Sequence, residues 1–267
     1  MEKSNSIFIS LETVSSSLFL TCLFFSFDLL SLGPMKNNRP QLVLLHGALG
    51  CREQMLPIAQ AFESHFTVHV YEFMGHGARS NQPGDFSIGA MANELEAFFN
   101  ENHWTQVHVL GYSMGGYVAL YHQVMFGPCI QNIFCLGTKF DWNPDTAEKE
   151  ASMLQPGLLI EKLPAFAQLL EHRHGKYWHS VVERTAEMMK HLGRNPLLNE
   201  HSLPKISAKC TLALGDRDQM VSQQETQWAA GLVPNAEVKI LEATPHPIEK
   251  VNMQALLEMA LHCVGVQ

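Results

Sequence analysis

The segment Gly111-Tyr112-Ser113-Met114-Gly115-Gly116 places a serine between glycines two residues before it and two after. It follows an apolar run ending at Leu110 and opens a helix-like stretch starting at Met114. A serine at such a strand-to-helix turn sits where the chain reverses sharply, so only small residues fit at the flanking positions. The turn lifts the hydroxyl clear of the sheet. It also aims the first amides of the helix, which carry partial positive charge, at a reacting oxygen. Ser113 is therefore the expected nucleophile.

A serine hydroxyl needs a base at neutral pH. Of the 14 histidines, His246 stands out, because Ala243-Thr244-Pro245-His246-Pro247 follows the last apolar run and its prolines stiffen the loop. Asp218, in Gly215-Asp216-Arg217-Asp218, is the expected acid, placed to accept the imidazole proton and stabilise the imidazolium. Asp216 competes for that role, but lies closer to the strand end, where a carboxylate more often caps the turn. In Leu44-Leu45-His46-Gly47-Ala48-Leu49-Gly50, a glycine-rich loop turns a backbone N–H toward a developing oxyanion. Ala48 is the expected first donor and Met114 the second, while His46 shapes the loop. His172, His174 and His179 offer a metal-binding alternative, but His-x-His on a helix points its rings apart. No metal and no cofactor is expected.

The elements needed to hold these residues can be read along the chain. Apolar runs at Leu42–Leu45, Thr67–Phe73, Val107–Leu110, Ile130–Leu136, Cys210–Leu214 and Glu237–Leu241 predict strands of a parallel sheet covered on both faces. Helical stretches separate them at Gln54–Ser64, Ile88–Asn102, Met114–Phe126, Gln223–Leu232 and Ile248–His262, which predicts an α/β fold of βαβ crossovers. The alternation breaks between Lys139 and Lys205, where helical runs at Gly157–His172 and Val181–His191 predict an inserted cap. The expected organisation is an N-terminal segment 1–34, a core of 35–138 and 205–267, and a helical cap of 139–204.

At 267 residues the chain has room for one buried domain with an insertion. Hydrophobic residues at 46% and charged residues at 16% are those of an ordinary globular protein. A net charge of −8 without any lysine- or arginine-rich run excludes a phosphate backbone as partner. The six cysteines are scattered, with no Cys-x-x-Cys pair, so they read as free thiols in a reducing cytoplasm. Ser17 to Leu32 is apolar but interrupted by Asp28 and too short for a comfortable membrane span. Met35, followed by Lys36 and a polar stretch, reads as the natural start; a secretory segment, with export, is the other reading of residues 1–34.

The sequence resembles the α/β-hydrolase family from Leu42 to near the C-terminus. The resemblance rests on Leu45-His46-Gly47-Ala48, Gly75-His76-Gly77-Ala78-Arg79-Ser80, the turn around Ser113, Gly215 to Asp218, and His246. It implies a mostly parallel, doubly wound sheet with a helical cap over the catalytic end. It carries nucleophile, acid and base onto Ser113, Asp218 and His246, the oxyanion donors onto Ala48 and Met114, and a structural role onto His76. The chain order of serine, acid and histidine is the family's order. The antiparallel hairpin that often opens the family has no counterpart after Met35, and Glu72 stands where the turn motif commonly has aspartate. The short cap is similar to that of small esterases and of the lyase that makes a cyclohexadiene carboxylate in menaquinone synthesis. That lyase typically has an arginine where this chain has Tyr117. Carbon–carbon bond hydrolases of the fold tend to have asparagine where it has Tyr112.

The leading functional expectation is hydrolysis of a carboxylic ester or thioester, a small-molecule acyl substrate, through an acyl-enzyme on Ser113. A ligand receptor or signalling partner on the same fold is the alternative, along with the related lyase and C–C hydrolase chemistries. Leu158, Leu159, Leu163, Phe166, Leu169, Leu170, Tyr177 and Trp178 are candidate acyl-pocket residues, although most are expected to bury the cap's own helices.

Overall fold

The computed structural model describes residues 39–265. Six strands, β1 (Gln41–Leu45), β2 (Thr67–Tyr71), β3 (Val107–Tyr112), β4 (Ile130–Leu136), β5 (Lys209–Gly215) and β6 (Ala236–Leu241), form one sheet in the order β2-β1-β3-β4-β5-β6. Every pairing is parallel. Nine α-helices accompany them among the described residues. They are α1 (Arg52–Phe62), α2 (Ile88–Glu101), α3 (Met114–Phe126), α4 (Pro144–Ser152), α5 (Pro156–Lys162), α6 (Pro164–His174), α7 (Trp178–Arg194), α8 (Gln223–Leu232) and α9 (Met253–Val264).

The strands are short apolar runs because both faces of the sheet are covered. Side chains alternate between the faces, so Leu42 and Leu44 of β1 join one core layer while Val43 and Leu45 join the other. The first layer is closed by α1 and α9 through Met55, Ile58, Phe62, Leu256 and Ala260. The second is closed by α2, α3 and α8, with Met91, Leu95, Val118, Leu120 and Ala229 buried there. Helices α4 to α7 form one long insertion between β4 and β5. In α7 the residues Val181, Thr185, Met188 and Leu192 are buried along one stripe.

Most element boundaries differ from the sequence expectation by one to three residues, and three of the differences have local causes. The stretch Gly157–His172 is two helices, because Pro164 has no N–H to continue the ladder and instead starts a new helix after Leu163. Strand β2 stops at Tyr71 rather than Phe73, since the Phe73 amide leaves the sheet and donates to His46 Nε2 at 3.2 Å. Ile248–Lys250 is a 3₁₀ turn, and α9 begins only after Asn252, whose side chain accepts the Ala255 amide at 3.1 Å. Helix α1 begins two residues before Gln54. The described cysteines, Cys51, Cys129, Cys135, Cys210 and Cys263, are free thiols. Cys22, the apolar run Ser17–Leu32 and the expected segment 1–34 lie outside the described residues. No helix among the described residues is long and apolar enough to cross a membrane.

Candidate active site

The sheet order reverses at β1, which pairs with β2 on one side and β3 on the other. Loops leaving β1 and β3 therefore part, opening a crevice at the carboxyl ends of the strands, where open α/β sheets bind ligands. Ser113 stands on its rim. It follows β3 directly and precedes α3, with φ 51° and ψ −113°. Such a conformation costs about 1–3 kcal/mol in a non-glycine residue and persists only where neighbours hold it. Here the Ser113 amide donates to Leu136 O at 2.8 Å, and Thr138 Oγ1 donates to Ser113 O at 3.1 Å. A Cβ at Gly111 would lie 2.4 Å from Gly116 N, and one at Gly115 2.5 Å from Leu45 O. Both glycines are thus required by close backbone approach.

Asp218 sits in the turn after β5, its amide bonded to Gly215 O at 3.1 Å. One carboxylate oxygen, Oδ1, accepts the amides of Met220 at 2.8 Å and Val221 at 3.0 Å. The other, Oδ2, accepts Nδ1–H of His246 at 2.7 Å. The two side chains are only 2% and 11% exposed, respectively. Burial pushes the Asp218 carboxyl up, but the hydrogen bond and charge of His246, with the Val221 and Met220 amides, outweigh it and hold the group below its ordinary value. Asp218 therefore stays a carboxylate. It fixes the imidazole as the Nδ1–H tautomer, leaving Nε2 with a free lone pair. The loop bearing His246 crosses back over β4 at Gly137, whose φ of 62° suits glycine and where a Cβ would press on Asp218 and His246 at 3.3 Å. Tyr112, next to Ser113, donates its hydroxyl to His246 O at 3.1 Å. The structure thus joins Asp218 to His246 and ties His246 to the neighbour of Ser113; no hydrogen bond joins Ser113 Oγ to His246. Asp216 is exposed and caps the turn by accepting the Thr244 amide at 3.0 Å.

Among the described residues, neither the Ala48 nor the Met114 amide donates to a protein acceptor. For Met114 this follows from its place at the first position of α3, where helical amides have no partner within the helix. The loop carrying Ala48 is held from below by two buried histidines. His46 bonds Gly47 O at 2.9 Å and accepts the Phe73 amide, which makes it an Nδ1–H tautomer; burial, more than any charge, lowers its pKa to about 4. His174, from α6, donates Nε2–H to Leu49 O at 3.1 Å and accepts the Gly77 amide on Nδ1 at 2.9 Å. Burial lowers its pKa to about 4 as well. His76 packs between them, with ring centres 4.9 Å from His46 and 6.0 Å from His174. Both nitrogens of His174 are engaged and His172 and His179 are exposed, so the three residues weighed for a metal share no site. Among the described residues no group of three or more His, Cys, Asp or Glu side chains is arranged to hold a metal ion.

A cavity of about 40 Å³ opens at Ser113, lined by Ala48 and Met114 together with Trp142, Met188 and Leu192 from the insertion. None of the eight cap residues named as acyl-pocket candidates lines it; as expected for most of them, they belong to the cap itself. Leu159, Leu170 and Trp178 are buried with Leu49 in a separate cluster inside the cap, while Leu163, Leu169 and Tyr177 are exposed. The wall comes instead from the far end of α7. The spacing of Val181, Thr185, Met188 and Leu192 was a signal for it, but a stripe does not say which neighbour it faces. Tyr117 also lines this cavity; its hydroxyl accepts the amides of Leu197 at 3.1 Å and Leu198 at 2.9 Å.

A family model described as "alpha/beta hydrolase fold" matches residues 40–158, which include the β1 loop and the turn at Ser113. The chain has the α/β-hydrolase fold. Among curated relatives, the "Putative carbamate hydrolase RutD" of Stutzerimonas stutzeri (strain A1501) is 27% identical over 233 residues, 80% of this chain and 87% of that protein. The 2-succinyl-6-hydroxy-2,4-cyclohexadiene-1-carboxylate synthase of Photorhabdus laumondii is 35% identical over 86 residues, only 32% of this chain and 30% of the synthase. The crystal structure of MGS-M2, an alpha/beta hydrolase enzyme from a Medee basin deep-sea metagenome library, superposes with a TM-score of 0.73 at 13% identity, covering 88% of this chain and 92% of that one. The sheet with its inserted helices is thus the family's fold, as the motifs implied.

Proposed function

We propose that this chain cleaves a carboxylic ester or thioester through an acyl-enzyme on Ser113. The observation that carries the reading is the 2.7 Å bond from His246 Nδ1 to a buried Asp218 on the edge of the sheet that also bears Ser113. Ser113 Oγ attacks the carbonyl carbon as its proton passes to His246 Nε2. The resulting oxyanion takes hydrogen bonds from the Ala48 and Met114 amides, which have no acceptor among the described residues. Collapse of the tetrahedral centre expels the alcohol or thiol, protonated by His246. Water, deprotonated by the same nitrogen, then releases the acid and frees Ser113. Asp218 holds the imidazole in the required tautomer and stabilises its charged form throughout.

Tyr117 speaks against the synthase chemistry of the shorter match. It occupies the position after the turn glycines where that chemistry wants a cation for a substrate carboxylate, and its hydroxyl is taken up by two backbone amides. Turnover of p-nitrophenyl acetate or butyrate is the test. Hydrolysis is expected in the native chain and a loss of at least about 10³-fold in Ser113→Ala. Activity persisting in that variant would refute the assignment, and a folded native chain turning over neither these esters nor thioesters would favour a non-catalytic role.

A further inference from the structure

The geometry points to a short acyl group, two to four carbons long, as the part of the substrate carried on Ser113, with Met188 and Leu192 setting the limit. This rests on the acyl-enzyme reading above. A tetrahedral centre on Ser113 has four substituents, and three of their directions are assigned: Oγ, the oxyanion toward Ala48 and Met114, and the leaving group toward His246, which must protonate it. The cavity at Ser113 is bounded by Ala48 and Met114 but not by His246. It therefore lies off the leaving-group side, and because it runs on past the two oxyanion donors to Ile88, Met188 and Leu192 it holds more than a single oxygen and receives the remaining substituent, the acyl chain.

Its size decides what fits. The volume is about 40 Å³. One water needs roughly 10–15 Å³ of cavity volume, and an apolar cavity of about 150 Å³, nearly four times larger than this one, binds a single benzene. Some three heavy atoms beyond the carbonyl carbon fill it, which is butyryl at most; no ring enters. The limit is a thin wall of side chains rather than backbone. Ile88, Met188 and Leu192 line this cavity on one side and a surface cleft of about 530 Å³ on the other. Trp142 likewise separates it from a second cleft of about 660 Å³. Shortening a wall residue would join the small cavity to a large one, so chain-length preference is open to change by single substitutions.

Alkanesulfonyl fluorides test this without knowledge of the natural substrate. Ser113 Oγ bonds to sulfur as the S–F bond breaks, fluoride leaves, the hydroxyl proton goes to His246, and the alkyl group must enter the acyl cavity. Labelling rates of the full chain, followed by intact mass and mapped to Ser113, are compared for the methyl, butyl and octyl reagents. Methyl is expected to label at least about 100-fold faster than octyl, since pocket fit is worth about 10–200-fold per methylene. Met188→Ala is expected to raise the octyl-to-methyl ratio by at least about 30-fold on the same grounds, and Leu192→Val, a milder change, to raise it in the same direction if Met188→Ala does not fold. Octyl labelling Ser113 as fast as methyl in the native chain would overturn the size limit and leave the acyl-enzyme reading intact. A ratio unmoved in both variants would overturn the role of Met188 and Leu192. Labelling absent from Ser113 with every reagent would overturn the acyl-enzyme reading and the inference with it.

Discussion

Asp216 and Asp218 leave the same turn, yet their surroundings give them different work. Asp218 has both oxygens occupied and is shielded from water, whereas Asp216 is exposed and holds one amide of the neighbouring loop. On the proposed mechanism, Asp218→Asn offers His246 an amide in place of a carboxylate and favours the wrong tautomer, so kcat is expected to fall by about 10³–10⁴ with the fold retained. Asp216→Asn keeps an oxygen for the Thr244 amide, and kcat is expected to stay within about twofold. Steady-state kinetics on the two variants, side by side, check the contrast. Tyr112→Phe removes the hydroxyl that holds His246 O, a bond worth about 1 kcal/mol, and should lower kcat by about fivefold while leaving KM unchanged. At this scale the placement of the candidate residues, and the bond between Asp218 and His246, was legible wherever a residue's position was fixed by the end of a strand. The choice of Asp218 over Asp216 could be read from distance to the turn glycine. Met188, Trp142 and Leu192 could not be read, because their approach to Ser113 depends on how the insertion folds back, which no local pattern encodes.

The helices of the insertion reach the sheet through buried polar contacts as well as apolar ones. His174 on α6 clamps Leu49, next to Ala48, while His46 and His76 lie below. Protonating His174 Nδ1 would set an N–H against the Gly77 amide, and protonating His46 Nε2 would set one against the Phe73 amide. The fall from the ordinary value of 6.5 to about 4 at each corresponds to roughly 3 kcal/mol. The sign follows from proton uptake: between pH 6.5 and 4 the unfolded chain binds protons that the folded chain refuses. Stability is therefore full above pH 6.5 and is lost as pH falls toward 4. Urea melts between pH 7.5 and 4.5 are expected to show this decline, and His174→Gln to flatten part of it; an unchanged slope would contradict the clamp. Strand positions were legible because an apolar run covered on both faces has few alternatives. Helix limits in the insertion were less so, since Pro164 restarts a helix where periodicity continues unbroken.

At the scale of the whole molecule, the insertion and the sheet share a core. Met188, Leu192, Leu198 and Leu203 are buried in the same cluster as Val43 and Val109. Cap and sheet are therefore expected to unfold together, with far-UV circular dichroism and tryptophan fluorescence giving coincident thermal midpoints; two separated transitions would contradict a common core. The parallel α/β class was legible from alternation alone, because strands separated by helices form βαβ crossovers, whereas the strand order was not. The same wall that bounds the acyl cavity also has an optical consequence. Of the four tryptophans, Trp104, Trp142, Trp178 and Trp228, only Trp142 touches the cavity, and its indole N–H has no partner among the described residues. With the other three changed to phenylalanine, the chain would carry a single fluorophore on the wall of its reaction chamber. The filling and emptying of that chamber could then be followed as light, turnover by turnover, in a stopped-flow trace.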